Sequence, residues 1–222
     1  MAKFLTLNTH SWMEDEQEKK LDQLAERILQ EKYDVICLQE VNQEMESEQV
    51  VQAPFYHAVD GAIAIHKDHF AHCLVERLVE KGLIYHWSWA YNHIGFDRFH
   101  EGVAILSLNP LKPRELLVSD ANDPTDYHTR KVLLAETEVD GRLVTVASCH
   151  LSWWNKGFQE EWAQIEEELL QCNMPLVLMG DFNNPVGYEG YQHILRSPLA
   201  LQDSHAVAAT VVGTATVEGD IA

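Results

Sequence analysis

The sequence predicts a mixed α+β sandwich, in which helices cover the outer faces of β-sheets. Short apolar runs with the composition of buried strands recur along the chain, and amphipathic segments with helical periodicity lie between several of them. An Asp-Gly pair at 140–141 joins two of these runs, which is a strong signal for a β-hairpin. Helices beside hairpin-linked strands are typical of layered α+β proteins. A chain of 222 residues is expected to form a single domain over residues 1–222.

In the first third of the chain, hydrophobic periodicity predicts alternating strands and helices. These are a strand over 4–8, an amphipathic helix over 15–30, a strand over 35–38 and a helix over 68–81. Gly82 is expected to end the second helix, because glycine readily takes the left-handed conformation of a helix C-terminus. Residues 41–53 are acidic and glutamine-rich without apolar periodicity, which predicts a mobile loop or a poorly ordered helix beside Glu40.

The rest of the chain is predicted to contain mostly strands. These are strands over 85–91, 102–107, 114–118, 131–139, 142–150 and 176–179, with helices over 158–171 and 187–196. The first of these strands rests on an alternation of aromatic residues, which are enriched in β-structure. The segment 92–101, rich in polar and aromatic residues, is predicted to be a loop.

Four of the apolar strands end in a polar side chain, namely Asn8, Glu40, His150 and Asp181, and Asn183 follows the last of them. Taken singly, each has an ordinary explanation: a turn for Asp181, a core histidine for His150 and a cap for Glu40. Ligands bind at strand ends in layered α/β proteins. If the four ends meet, they bring together a carboxylate suited to a metal ion, an imidazole and amides.

Five short motifs occur in an order and spacing that resemble a known family. They are Thr6-Leu7-Asn8, Leu38-Gln39-Glu40-Val41, Glu101-Gly102-Val103-Ala104-Ile105-Leu106-Ser107, Ser148-Cys149-His150-Leu151 and Gly180-Asp181-Phe182-Asn183. Across residues 4–184 the sequence resembles the endonuclease/exonuclease/phosphatase superfamily, which includes pancreatic-type deoxyribonuclease and neutral sphingomyelinases. The resemblance implies a four-layer α/β/β/α sandwich of two mixed β-sheets, with the active site at one end of the sheets.

The resemblance also implies roles for the residues at the strand ends. Glu40 is expected to be the principal ligand of a Mg²⁺ ion, with Asn8 beside it and with Mn²⁺ as the alternative metal; both are hard cations that prefer oxygen ligands. Asp181 is expected to orient or deprotonate the attacking water, and Asn183 to hold a phosphate oxygen.

The remaining implied roles concern the phosphoryl group. His150 is expected to donate to a phosphoryl or leaving oxygen, and Glu101 to fix the orientation of its ring. Arg130 matches a family arginine that contacts phosphate, although a solvated strand charge is an equally good explanation. In this family, loops cover the site, and three residues of the corresponding segment are expected to contact substrate. The alternative is that these side chains belong to the core or to the rim of the protein. These residues are Tyr91, Asn92 and His93.

The implied activity is Mg²⁺-dependent hydrolysis of a phosphoester, above all a phosphodiester, by in-line attack of an activated water without a covalent enzyme intermediate. The acidic composition and the aromatic loops favour a small molecule or a lipid headgroup as substrate over duplex DNA. A nuclease of the same fold is one alternative. A catalytically impaired binding or regulatory module that keeps the fold is the other.

The carboxyl-terminal segment departs from the family pattern. The family normally adds a downstream aspartate and a Ser-Asp-His near its carboxyl terminus, and neither follows Asn184. The run Asp203-Ser204-His205 comes too early and in a different order. We therefore expect the domain to be truncated at its C-terminal end, with a natural protein that continues beyond Ala222, and we keep catalytic impairment as the alternative.

The amino-acid composition limits the kinds of partner that the protein is expected to bind. The net charge of −19 at pH 7 suits recruitment of divalent cations and predicts repulsion of polyanions, so strong non-specific nucleic-acid binding is not expected. The four cysteines lack metal-ligand spacing and predict free thiols in a reducing cytoplasm. The sequence shows neither a secretory segment nor a membrane span, so a cytoplasmic protein is expected. Substrate class and oligomeric state stay open.

Overall fold

Two four-stranded β-sheets stacked face to face form the centre of the protein, whose residues 1–213 are described by a computed structural model. The strands are β1 (Phe4–Asn8), β2 (Val35–Glu44), β3 (His86–Gly95), β4 (Phe99–Ser107), β5 (Lys112–Leu117), β6 (Lys131–Val139), β7 (Arg142–His150) and β8 (Leu176–Asp181). The helices are α1 (Gln17–Glu31), α2 (Phe70–Glu80), α3 (Gln159–Leu169), α4 (Glu189–Leu195) and α5 (Ser204–Val207), and a π-helical turn at Trp154–Phe158 precedes α3.

The strand order places β1 and β8 at the edges of the two sheets. The first sheet has the order β1-β2-β4-β3 and the second has the order β5-β6-β7-β8. β1 is parallel to β2 and β7 is parallel to β8, whereas the other neighbours are antiparallel. Both sheets are therefore mixed, as predicted. β1 and β8 contact each other across the sandwich.

Three apolar layers hold the sheets and helices together. On β2, Val35 and Cys37 pack between the sheets, whereas Ile36 and Leu38 pack under α1 and α2. Successive side chains of a strand point to opposite faces, so one apolar strand serves both layers. Trp162 of α3 lies in the third layer, on the outer face of the second sheet. This arrangement confirms the four-layer α/β/β/α sandwich.

The predicted Asp-Gly hairpin is confirmed between β6 and β7. Asp140 and Gly141 have φ values of 49° and 74°, respectively. Two consecutive positive φ angles characterise the tight hairpin turn whose twist matches that of the flanking strands. The turn sets the register in which Val139 pairs with Arg142.

The loop predicted for residues 41–53 is wrong over its first part. After a bulge, β2 continues to the end of residue 44 and keeps pairing with β4. Gln43 is fully buried there: its Nε2 donates to the Ala64 carbonyl at 2.9 Å, and its Oε1 accepts from the His66 N–H at 2.9 Å. The prediction failed because the polar side chains of this strand form hydrogen bonds inside the protein. In the sequence, such a strand has the same polar composition as a solvated loop.

The loop predicted for residues 92–101 is also wrong. β3 runs to Gly95 and β4 begins at Phe99, and the tight turn between them places Phe96 and Asp97 at positive φ (54° and 53°). Such turns favour Asn and Gly at these positions. The Phe-Asp pair carries no comparable signal, which explains the failure.

The chain after β8 forms a small helical corner. Asp203 caps α5, since its Oδ1 accepts from the His205 N–H at 2.8 Å, and its Oδ2 accepts from the Tyr191 hydroxyl at 2.8 Å. The last residues of the tail, and with them the expected C-terminal truncation, lie outside the described residues. Within residues 1–213, no helix is long and apolar enough to cross a membrane.

His69 makes the stability of the fold depend on pH. This side chain is fully buried at the start of α2, where its Nδ1 accepts from the His72 N–H at 3.3 Å. Burial lowers the pKa of His69 well below 6.5, and the nearby His72 and His66 lower it further. The unfolded chain therefore takes up a proton below pH 6.5 that the folded protein excludes.

We expect the free energy of unfolding to fall by about 1.4 kcal/mol per pH unit on this account as the pH drops below that value. Urea unfolding at a series of pH values measures this dependence. His69→Asn keeps an N-cap acceptor but cannot titrate, so it should make the dependence less steep. An equally steep dependence in His69→Asn would contradict the assignment to this histidine.

Candidate active site

The ends of two parallel strand pairs meet at one end of the sandwich. In the first sheet, Asn8 lies opposite Gln39, the residue directly before Glu40. In the second sheet, His150 lies opposite Asp181. Parallel strands end at the same edge of a sheet, so each pair brings two polar residues together. The contact between β1 and β8 then joins the two pairs into one site.

Asn8 connects two carboxylates that are far apart in the sequence. Its Nδ2 donates to Glu40 Oε1 at 2.7 Å and to Asp181 Oδ2 at 3.0 Å. Its Oδ1 accepts from the His10 N–H at 3.1 Å, which turns the amide nitrogen toward the carboxylates. Asn8, Glu40 and Asp181 therefore meet as predicted, although Glu40 lies at the bulge inside β2 and not at the end of that strand.

Gly180 permits the close approach of β7 and β8. A Cβ atom at this position would lie 2.0 Å from the Cys149 carbonyl oxygen, a distance that no side chain can accept. Glycine is therefore required directly before Asp181. The absence of a side chain keeps His150 and Asp181 side by side across the parallel pair.

The environment of Glu40 disfavours its charge. Burial raises the pKa of this carboxyl, and the charges of Glu101 and Asp181 raise it further, whereas the hydrogen bond from Asn8 and the charge of His10 oppose the shift. Its backbone lies in the left-handed region at φ 50°. A carboxylate held under such conditions is a common feature of functional sites.

His150 is a neutral imidazole at physiological pH. Burial and the positive charge of Arg130 lower its pKa to about 4, although Asp181 and Glu101 act in the opposite direction. Its Nε2 lies 3.8 Å from Glu40 Oε1. The ring thus lies close to Glu40, one of the two carboxylates that Asn8 joins.

Arg130 brings an unpaired positive charge close to these groups. Its Nε and Nη1 atoms are buried and find no hydrogen-bond partner among residues 1–213. Its charge acts on both His150 and Glu101. Buried donors without a partner are rare because they cost free energy, so this guanidinium is suited to an anionic ligand.

Glu101, which was expected to fix the ring of His150, pairs with His93. His93 Nε2 lies 3.4 Å from Glu101 Oε1, and His93 Nδ1 donates to the Thr129 carbonyl at 3.2 Å. A bulge in β3 places His93 directly opposite Glu101 on β4. Burial alone would raise the pKa of Glu101, but His93 and, more weakly, His150 and Arg130 outweigh it, and the net shift is downward.

The other two residues expected to contact substrate lie in the body of β3. Tyr91 packs in the layer under α1 and α2, with its ring centroid 5.0 Å from that of His100. Asn92 is buried, and its Oδ1 has no partner in the described part of the chain. The structure therefore does not bring Tyr91 together with the strand-end residues.

Asn183 holds the carboxylate of Asp181. Its backbone N–H donates to Asp181 Oδ1 at 3.0 Å, and its Nδ2 donates to the Leu151 carbonyl at 2.9 Å. The residue adopts φ 49° in the turn after β8. Asp181 is thus fixed by Asn183 on one oxygen and by Asn8 on the other.

Glu161 is a buried carboxylate within the influence of the Arg130 charge, and the sequence analysis did not single it out. It is buried in the first turn of α3, where its carboxylate accepts from the Ser152 N–H at 2.8 Å and from the Ser152 hydroxyl at 2.6 Å. Burial raises the pKa of Glu161, and these two hydrogen bonds and the charge of Arg130 oppose that shift. A carboxylate beside Trp162 on the apolar face of the predicted helix is the signal that could have revealed it.

The donor set at the strand ends fits a hard divalent cation. Within residues 1–213, no group of three or more His, Cys, Asp or Glu side chains is arranged to hold a metal ion. Glu40 and Asp181 nevertheless direct one oxygen each at the same amide nitrogen of Asn8. Mg²⁺ is held by one or two carboxylates and keeps several waters. A cation there would also favour the ionised form of Glu40, which burial disfavours.

Comparison with known proteins identifies relatives of the same architecture. The model of the Endonuclease/Exonuclease/phosphatase family matches residues 13–219. An endonuclease/exonuclease/phosphatase family protein from Leptotrichia buccalis C-1013-b is 28% identical, with a TM-score of 0.81 over 95% of this chain and 77% of its own. The human Nocturnin catalytic domain with bound sulfate anion is 19% identical, with a TM-score of 0.62 over 91% of this chain and 72% of its own.

A third solved structure is more distant. Sphingomyelinase C from Streptomyces griseocarneus is 15% identical, with a TM-score of 0.54 over 87% of this chain and 68% of its own. The likeness to this enzyme and to Nocturnin concerns the fold alone. No curated protein sequence matches the chain.

Replacement of Glu40 should stabilise the metal-free protein. Because the pKa of Glu40 is raised in the folded state, its ionisation costs stability as the pH rises above 4.5, the ordinary value of the carboxyl. Glu40→Gln can still accept the hydrogen bond from Asn8 but carries no charge. We expect it to increase the free energy of unfolding at pH 7 by roughly 0.5–2 kcal/mol.

This increase should disappear below pH 4.5, where the carboxyl is protonated in both states. Urea unfolding in the presence of EDTA measures the difference. A less stable Glu40→Gln variant at pH 7 would contradict the unfavourable environment assigned to this carboxylate.

Proposed function

The chain belongs to the endonuclease/exonuclease/phosphatase family, whose name covers enzymes that hydrolyse phosphoester bonds, and from this premise we propose that it is a Mg²⁺-dependent phosphodiesterase. The observation that carries the proposal is the contact of Asn8 with Glu40 and Asp181, at 2.7 and 3.0 Å. The Arg130 guanidinium, which has two buried donors without a partner among the described residues, acts by its charge on His150, whose Nε2 lies 3.8 Å from Glu40 Oε1. Oxygen ligands for a cation, with donors for an anion in the same part of the protein, support the proposal.

Glu40 and Asn8 are the residues proposed to hold Mg²⁺, or Mn²⁺ in its place. When bound, the ion supplies positive charge that neutralises the phosphoryl oxygens. The raised pKa of Glu40, caused first by burial and then by neighbouring carboxylates, supports this role. Asn8 would offer its amide oxygen after rotation of the side chain.

Asp181 is proposed to position the attacking water. Its two oxygens are held by the Asn183 N–H and by Asn8 Nδ2, so the carboxylate has a fixed orientation. A fixed carboxylate can accept a proton from water and set the direction of attack. Attack by water in line with the leaving oxygen needs no covalent enzyme intermediate.

His150 and Arg130 are proposed to act on the phosphoryl group. Since burial and Arg130 lower the pKa of His150 to about 4, the ring is neutral at pH 7 and can donate one N–H to a phosphoryl or leaving oxygen. The guanidinium of Arg130 can donate two parallel hydrogen bonds to a phosphate. Both donors would stabilise the charge that develops in the transition state.

A small phosphodiester or a lipid headgroup is the substrate class that the charges favour. The chain carries a net charge of −19 at pH 7. At least ten of its 16 Lys and Arg side chains form ion pairs with carboxylates, which leaves few cations to follow a nucleic-acid backbone. Faster cleavage of supercoiled DNA than of small phosphodiesters would favour the nuclease of the same fold instead.

Loss of either carboxylate should abolish turnover. Asp181→Asn and Glu40→Ala are each expected to lower kcat for bis(p-nitrophenyl) phosphate in Mg²⁺ by at least about 100-fold, because each removes a charge that acts in the transition state. Asp140→Asn is the matched control, since Asn-Gly forms the same hairpin turn as Asp-Gly and should leave kcat unchanged. Unchanged turnover in Asp181→Asn or Glu40→Ala, with the fold intact, would refute the assignment.

Arg130 should contribute to the binding of phosphate. Arg130→Gln is expected to lower kcat/KM by about 10–100-fold, since it removes charge-assisted hydrogen bonds to the substrate. Arg114→Gln serves as control, because Arg114 is a half-exposed arginine paired with Glu168 at 2.8 Å. Steady-state kinetics on the same phosphodiester provide the measurement. Equal losses in the two variants would show that Arg130 has no specific role.

A further inference from the structure

The backbone of Glu40 is held by side chains that follow β1. Its carbonyl oxygen accepts two hydrogen bonds from Ser11, from Oγ at 2.7 Å and from the N–H at 3.3 Å, and Thr9 Oγ1 lies 2.9 Å from it. Thr9 Oγ1 also lies 2.8 Å from the Gln39 carbonyl.

Ser11 also reaches the strand beyond Glu40. Its Oγ accepts from the Asn42 N–H at 2.8 Å, and its carbonyl accepts from Asn42 Nδ2 at 2.9 Å. The side chain of Ser11 is fully buried. One hydroxyl therefore donates to residue 40 and accepts from residue 42, on either side of the irregular part of β2.

This irregular part is where the strand needs support. The register of β2 on β4 shifts between Leu38 and Val41, so Gln39 and Glu40 lack regular partners on β4. Glu40 adopts φ 50°, a left-handed conformation that is strained for a residue with a side chain and persists only when its surroundings hold it. A bulge of this kind re-aims a side chain that would otherwise follow the alternation of the strand.

We propose that Ser11, with Thr9, is a positioning residue of the metal site: it clamps the bulge of β2 so that the Glu40 carboxylate faces Asp181. The inference rests on the proposed function, since it takes Glu40 as the metal ligand. Ser11 acts through the backbone of Glu40 and does not touch the ion. Groups that orient a metal ligand in this way typically change metal affinity about 10–100-fold when they are removed.

The test compares Mn²⁺ binding to four variants by isothermal titration calorimetry, with the melting temperature as a check on the fold. Ser11→Ala removes the clamp. Thr9→Val removes one of its hydroxyls with little change of shape and serves if Ser11→Ala does not fold. Ser107→Ala is the matched control: Ser107 is equally buried and its Oγ bonds Thr137 Oγ1 at 2.9 Å, but it lies at the opposite end of β4.

Ser11→Ala is expected to weaken Mn²⁺ binding at least tenfold, Thr9→Val to weaken it less, and Ser107→Ala to leave it unchanged. The rate of phosphodiester hydrolysis by Ser11→Ala should recover in part at high Mn²⁺ concentration, because the ligands themselves are intact. Wild-type affinity in folded Ser11→Ala or, if that variant does not fold, in Thr9→Val overturns the inference. Equal losses in Ser11→Ala and Ser107→Ala overturn it too, since they reflect general loss of stability.

The fourth variant, Glu40→Gln, separates this inference from the proposed function. Loss of Mn²⁺ binding in Glu40→Gln together with wild-type binding in Ser11→Ala refutes the clamp alone. Unchanged Mn²⁺ binding in Glu40→Gln refutes the metal site, and the proposed function with it.

Discussion

The hydrogen bonds from Asn8 to Glu40 and Asp181 are the contact on which the site depends, because they join the two sheets. Asn8 and Glu40 belong to strands of the first sheet, and Asp181 ends a strand of the second. Two partly buried carboxylates held together repel each other, and the amide reduces this repulsion by donating to both. The apolar layer between the sheets must therefore keep three strand ends aligned, so packing far from the site determines its geometry.

Around this contact, the charges of the protein are arranged at the expense of stability. Glu40 lies in surroundings that raise its pKa, His150 is kept neutral, and Arg130 has buried donors that find no partner among the described residues. None of these features helps the chain to fold. Together they form surroundings suited to a cation and an anion. Functional sites commonly lower the stability of a protein in this way.

The fold and the strand-end residues could be predicted because their signals are local. An apolar run that stops at a polar residue is visible in sequence, and so is the Asp-Gly turn. The partner of Glu101 could not be predicted, since a one-residue bulge in β3 decides which histidine lies opposite it. Nor could Ser11, because a buried hydroxyl that bonds only to its neighbours' backbones and amides leaves no periodic trace. The polar continuation of β2 also lacks a periodic apolar pattern, and for this reason it was predicted to be a loop.

The separation of Asn8 from Asp181 by 173 positions affects when the site can form during synthesis and folding. Closing so long a loop is entropically costly, and distant pairings of this kind slow folding. A chain that emerges from the ribosome with its first sheet complete still lacks the strand that carries Asp181. The acidic end of that sheet then remains without its second carboxylate until residue 181 is made and β8 docks beside β7. The contact between Asn8 and Asp181 can therefore form only after residue 181 has been synthesised, as a late event in the folding of these two sheets.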